Sequence, residues 1–186
     1  ERVEFVVSLI VAKAKAAPSA TIGELQAVEG WMAAGYFFAR RALPIKWKAQ
    51  TRYPVHAEWQ KFVSRSSLNT RTRVRNGGAT HPVNDMLNYA YSLLEAHVRI
   101  GVIADGYDPA RGMLHSSVNP DSHSLVFDLM EPLRPVVDRA VIKLVSGEAF
   151  SGADFILQKN GVCRLSPELA RRVVHGVNLE LRDLPI

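Results

Sequence analysis

The stretch HPVNDMLNYAYSLLEAHVRIGVIADG constrains this chain more than any other feature of it. Val83, Met86, Leu87, Ala90, Leu93, Leu94 and Val98 recur at intervals that put them on one side of an α-helix, and Gly106 is the residue type that ends one. A helix this long with a single apolar stripe must bury that stripe against other elements. The remainder of the chain has to furnish them.

Helical partners are predicted on both sides. Residues 3–17 place Val3, Val7, Ile10, Val11 and Ala14 at helical spacing before Pro18 and Ser19 close the run. A second helix starts near Thr21, whose hydroxyl caps it while Glu24 completes a capping box. It runs on to Pro44 with Trp31, Ala34, Phe38 and Ala42 as its buried stripe. Towards the carboxyl end, MLHSSVNPDSHSLVFDLMEPLRPVVDRAVIKLVSG is helical from about His123 and interrupted at Pro132 and Pro135. Asn160-Gly161 between two short apolar runs signals a hairpin, and Ser166-Pro167-Glu168 opens a last helix. No internal repeat is visible. The fold class read from this is mainly α: one multi-helix domain over residues 1–186 with at most a small β-hairpin.

Between Pro44 and about Thr80 the periodicity is lost. Lys61, Arg65, Arg71, Arg73 and Arg75 follow one another with no acid between Glu58 and Asp85, interleaved with Ser66, Ser67, Asn69, Thr70 and Asn76-Gly77-Gly78. This composition predicts a basic, flexible segment around residues 44–80. Together with Arg40, Arg41, Lys46 and Lys48 it can neutralise phosphates. A solvated surface linker is an equally ordinary reading of such a charge run. The net charge of +5 leans weakly towards polyanions.

With 47% apolar and 22% charged residues, the chain has the composition of a soluble globular protein, and no apolar run is long enough for a bilayer. No membrane partner is expected. Cys163 is the only cysteine, so neither a disulfide framework nor a cysteine-rich zinc site forms within one chain, and a reducing cytoplasm is the expected location. The opening ERVEFVVSLIVAKAKAA reads as the middle of an amphipathic helix rather than as a signal peptide, which suggests a fragment of a longer chain.

Chemistry concentrates in Asp128-Leu129-Met130-Glu131-Pro132-Leu133-Arg134-Pro135. Helical positions three apart share a face, so Asp128 and Glu131 project together from apolar surroundings, a repulsion that a divalent cation or a basic partner relieves. Pro132 and Pro135 lack backbone donors, so the helix must bend or restart there. The bland alternative is that Arg134 or Arg139 pairs with these acids on a surface helix. His115, just ahead of this helix, adds an imidazole of the kind that joins carboxylates around manganese or magnesium, although a lone histidine is more often structural. Glu29, between Val28 and Gly30-Trp31, is either an inward-facing ligand or a helix-surface acid. Glu24 is explained by capping and Glu95 by the exposed side of its helix, while His56, His81, His97, His123 and His175 are read as structural or solvent-facing.

Glu29 in VEG, HPVNDMLNYAYSLLE, His115 in GYDPARGMLH and SLVFDLMEPLRPVVDR stand in the order and approximate spacing of the CRISPR-associated spacer-acquisition integrase family, the first-numbered Cas protein. The sequence resembles that family from Thr21 onward. The resemblance implies a helical catalytic lobe that in the family follows a smaller amino-terminal β domain used in dimerisation, a domain expected to be absent here. It implies Glu29, His115 and Glu131 as ligands of Mn2+ or Mg2+, with Asp128 as an acidic neighbour that positions water or DNA. Some family members carry aspartate at the position of Glu131.

The implied activity is that of a metal-dependent DNA endonuclease and integrase that joins spacer DNA to the CRISPR repeat by phosphodiester transesterification. Implied partners are protospacer and repeat DNA, a second copy in the full-length protein, and a second small adaptation protein. Two other readings compete: a non-catalytic helical DNA-binding or assembly module whose acids form only salt bridges, and a metal-dependent nuclease unrelated to adaptation.

Overall fold

The computed structural model describes residues 43–62, 78–112 and 122–182, together with 21, 23–24 and 35. The apolar stripe around Leu87 is the buried face of α1 (Pro82–Ala104), with Val83, Met86, Leu87, Ala90, Leu94 and Val98 inside and Leu93 at its margin. The His81 ring caps this helix by accepting from the Val83 N–H at 3.2 Å, and Pro82 occupies the first turn, where no donor is required. Its other end closes on Gly106, whose φ of +81° disfavours a side chain. There the Gly106 N–H donates to the Ile103 carbonyl and the Tyr107 N–H to that of Val102, both at 3.0 Å, the paired bonds of a Schellman cap.

The proline-interrupted segment folds as α2 (Ser124–Met130), a 3-10 turn (Glu131–Leu133) and α3 (Arg134–Gly147). The last helix, α4 (Pro167–Leu181), is capped by Ser166, whose hydroxyl accepts from the Leu169 N–H at 3.2 Å. Leu169, Val173, Val177 and Leu181 recur every four residues as its buried edge. α1 packs against α2, α3 and α4, and Met86, Leu94, Val137, Val141, Val145, Val173 and Val177 are almost completely enclosed. Each such side chain contributes roughly 1.5–3 kcal/mol through burial.

Asn160-Gly161 turns an antiparallel hairpin, β3 (Phe155–Leu157) with β4 (Cys163–Leu165), in which Ile156 faces Arg164. Gly161 has φ +81° and the Asn160 side chain accepts from the Val162 N–H at 3.1 Å. A second pair lies outside the sequence reading: β1 (Lys46–Trp47) runs parallel to β2 (Ala149–Phe150), and the Lys48 N–H extends it to the Phe150 carbonyl at 2.7 Å.

That pair ties down part of a segment expected to be flexible. The flexible segment expected around 44–80 is a packed strap over its described residues, 44–62 and 78–80. Ile45, Trp59, Phe62 and Ala79 are buried. Trp47 stacks on Trp59 at 6.3 Å and meets the edge of Phe155 at 5.8 Å, and the Trp59 indole donates to the Thr80 carbonyl at 2.9 Å. A few large aromatics at irregular intervals anchor a segment as well as a periodic stripe does. Gly152 lets the strap lie close, since a Cβ there would stand 2.7 Å from the Pro54 carbonyl oxygen.

At the amino-terminal end the expected capping box is present: the Thr21 N–H donates to Glu24 Oε2 at 2.7 Å and the Glu24 N–H to Thr21 Oγ1 at 3.3 Å. The helix predicted over residues 3–17 lies outside the described residues. Among the described residues no helix is long and apolar enough to cross a membrane.

Candidate functional site

Asp128 sits in the last turn of α2 and Glu131 at its C-cap, where the 3-10 turn begins. The cause is local. Pro132 cannot donate to the Asp128 carbonyl, nor Pro135 to that of Glu131, so the α-helix tightens through one turn and restarts at Arg134. The two acids are thereby brought to one helix break, both half-buried.

Glu131 also has the partner that the bland alternative supplied. Its Oε1 lies 3.0 Å from Arg134 Nη1, with the two side chains 21% and 31% exposed. Arg139 goes elsewhere, to Glu180 at 3.6 Å. Behind Arg134 stand two residues that the sequence reading missed as site components. The guanidinium lies over the Tyr91 ring, 5.5 Å from its centroid, and the Tyr91 hydroxyl donates to Asp138 Oδ1 at 2.6 Å. Asp138 is fully buried. A signal was available: Glu131, Arg134 and Asp138 are spaced three and four apart, the intervals of one helix face.

Glu29 and His115 lie outside the described residues. The chain approaching His115 is described as far as Gly112, and it is docked on the first turn of α2. The Gly112 N–H donates to Ser124 Oγ at 2.9 Å, Ser124 Oγ donates to the Ala110 carbonyl at 2.5 Å, and the Leu125 N–H donates to the Pro109 carbonyl at 3.0 Å. Gly112 is required by contact, because a Cβ there would stand 2.4 Å from the Ser124 carbonyl carbon. Of the expected phosphate-binding residues, Lys61 is exposed and bridges to Pro44 at the edge of the strap, while Arg65, Arg71, Arg73 and Arg75 lie outside the described residues.

A second acid and guanidinium meet in the first turn of α1. Asp85 is 4% exposed with Arg164 Nη1 of β4 at 3.6 Å. Burial pushes its carboxyl up to about 6, against the opposing pull of Arg164. Nearby, burial lowers the His81 imidazole to about 4, against the backbone contact with Lys61 that favours its charged form. His81 is therefore neutral at physiological pH, as its role as an acceptor for Val83 demands.

Carboxylate oxygens and an imidazole nitrogen are donors that manganese and magnesium accept, and Asp128 and Glu131 fit one side of such a set. Among the described residues no three histidine, cysteine or acidic side chains form a metal cluster by themselves. The arrangement can hold negative charge at a helix break with a guanidinium to balance it.

The family model described as CRISPR associated protein Cas1 matches residues 6–178. A CRISPR-associated endonuclease Cas1 of Archaeoglobus fulgidus is 36% identical over 179 residues, which cover 92% of this chain and 49% of that protein. A casposase structure, described as bound to integration product, superposes with a TM-score of 0.66 at 32% identity over 87% of this chain and 42% of its own. A Cas1 protein of Thermotoga maritima gives a TM-score of 0.67 at 25% identity, over 95% and 50% of the two chains. This chain spans half or less of the length of the curated relatives it matches first.

Proposed function

The chain belongs to the Cas1 family, and from that premise we propose that it supplies the helical catalytic part of a metal-dependent DNA endonuclease and integrase of CRISPR adaptation. The observation that carries this reading is the break between α2 and α3, where Asp128 and Glu131 stand three residues apart and half-buried. Glu131, with Glu29 and His115, would hold Mn2+ or Mg2+, and Asp128 would orient water or DNA beside them. When bound, the ion supplies Lewis-acid polarisation of a phosphate and stabilises charge developing on its oxygens.

The chain's own residues do the rest. Half-buried carboxylates at the helix break present oxygen donors at the edge of packed helices. Lys61 and the arginines at 65, 71, 73 and 75 would neutralise DNA phosphates. Attack by a DNA 3′ hydroxyl yields strand joining, and attack by water yields cleavage. The casposase relative, solved with an integration product, supports the joining reaction. Protospacer and repeat DNA, a second copy of the protein and a small second adaptation protein are the proposed partners.

The Arg134–Glu131 pair favours a second reading, a non-catalytic helical DNA-binding module whose acids are structural. Manganese-dependent joining of a splayed duplex to a repeat-containing plasmid separates the two. On the catalytic reading, His115→Ala abolishes joining and nicking while the protein still melts cooperatively and binds DNA. Persistence of joining in that variant would leave only the binding module. DNA affinity is also expected to fall steeply between low and moderate salt.

A further inference from the structure

Arg134 is fixed from two directions. Its guanidinium lies 3.0 Å from the Glu131 carboxylate and stacks 5.5 Å from the centre of the Tyr91 ring. Tyr91 is itself oriented from the interior, where its hydroxyl donates at 2.6 Å to Asp138, a carboxylate with no solvent exposure. A continuous line of contacts therefore runs from the α1–α3 interface to the acid at the helix break.

An arginine three residues from an acid on an exposed helix adds little stability and samples many rotamers. Clamped over an aromatic face, the same guanidinium offers its donor edge at one place, because the ring quadrupole favours one approach and the planar fork has one direction. The carboxylate that meets it inherits that restriction.

We propose that Arg134 is a positioning residue for Glu131, supported by Tyr91 and Asp138, so that packing between α1 and α3 sets where this carboxylate meets a divalent ion. The proposal rests on the reading of Glu131 as a metal ligand. Positive charge beside a cation site opposes binding while correct placement of a ligand favours it, so the decisive variants keep the charge and change the clamp.

The test is titration of the purified protein with Mn2+ alone, read by electron paramagnetic resonance of free and bound ion, with melting in chelator to verify folding. Arg134→Lys keeps the charge without the planar fork, and Tyr91→Leu keeps Arg134 without its platform. Both are expected to bind Mn2+ roughly tenfold more weakly. Tyr91→Phe retains the ring and is expected to lose less than Tyr91→Leu. Wild-type affinity in both Arg134→Lys and Tyr91→Leu overturns the proposal. Should Tyr91→Leu fail to fold, Arg134→Lys decides alone, since that side chain is partly exposed. Glu131→Gln tells the two ideas apart. Loss of Mn2+ binding in Glu131→Gln with wild-type affinity in the other variants removes only the positioning role, whereas wild-type affinity in Glu131→Gln removes the metal reading and this proposal together.

Discussion

Asp85 and Glu131 each face an arginine, yet the pairs are built differently. Asp85 is almost sealed in the first turn of α1, and its cation comes from β4, far along the chain. Glu131 stays 21% exposed at the α2–α3 break, and its cation is three residues away on the same helical run. The first pair ties the hairpin to α1; the second lies within one helical run and, with the Tyr91 ring under its guanidinium, orients one carboxylate. Depth and the origin of the partner separate an acid enclosed in the fold from one available to a ligand.

Glu131→Gln should break the comparison most sharply. It is expected to reduce ion-dependent nicking and joining to the level of a chelator control while the melting temperature stays near wild type. A large fall in melting temperature would make Glu131 a structural acid instead.

Asp85 should show its nature in pH dependence. Its carboxyl is raised in the folded state from the usual 3.8 to about 6, so the group contributes nothing adverse below about pH 4 and its full penalty above about pH 6. Stability from Asp85 therefore falls as pH rises through that window, by on the order of 3 kcal/mol. His81 has the opposite sign: lowered from 6.5 to about 4, it contributes stability that is complete above about pH 6.5 and lost as pH falls towards 4. The two offset each other in the wild type. Asp85→Asn removes one arm, and urea midpoints should then fall on acidification from pH 6.5 to 4 more steeply than in the wild type, by roughly 3 kcal/mol. Parallel curves would show that the carboxyl is not raised.

The arginines sharpen the contrast at smaller scale. Arg164→Met leaves Asp85 buried without that cation and is expected to cost about 1–2 kcal/mol in denaturant unfolding, discounted because Arg164 is 46% exposed. Arg134→Met should cost about 0–1 kcal/mol. Equal losses would mean that the two pairs do the same work.

What could be read in the residues divides along the same line between local and distant causes. The α1 stripe, the capping box at Thr21, the restart at Pro132 and Pro135, and the turn at Gly161 are written in spacing and punctuation within a few residues. The packing of the strap is not legible locally, because Trp47 is anchored by Phe150 and Phe155, about a hundred residues later, and no periodicity announces such a contact. Tyr91 lies within the α1 segment but outside its apolar stripe, and its hydroxyl acquires a role only when α3 brings Asp138 to it. At the candidate site, the helix break follows from the prolines, and the place of Asp128 and Glu131 beside it from their three-residue spacing. Glu29 and His115 stand on the family resemblance, since motif order rather than local spacing relates them to Glu131.

Cys163 starts β4, its N–H donating at 2.8 Å to the Ala79 carbonyl at the end of the strap. Its thiol is buried, and burial, with Asp85 nearby, pushes it well above the usual thiol range. As the sole cysteine it is an internal clock: an alkylating reagent can capture it only when the hairpin lifts from α1, so the rate of labelling counts how often that corner of the molecule breathes.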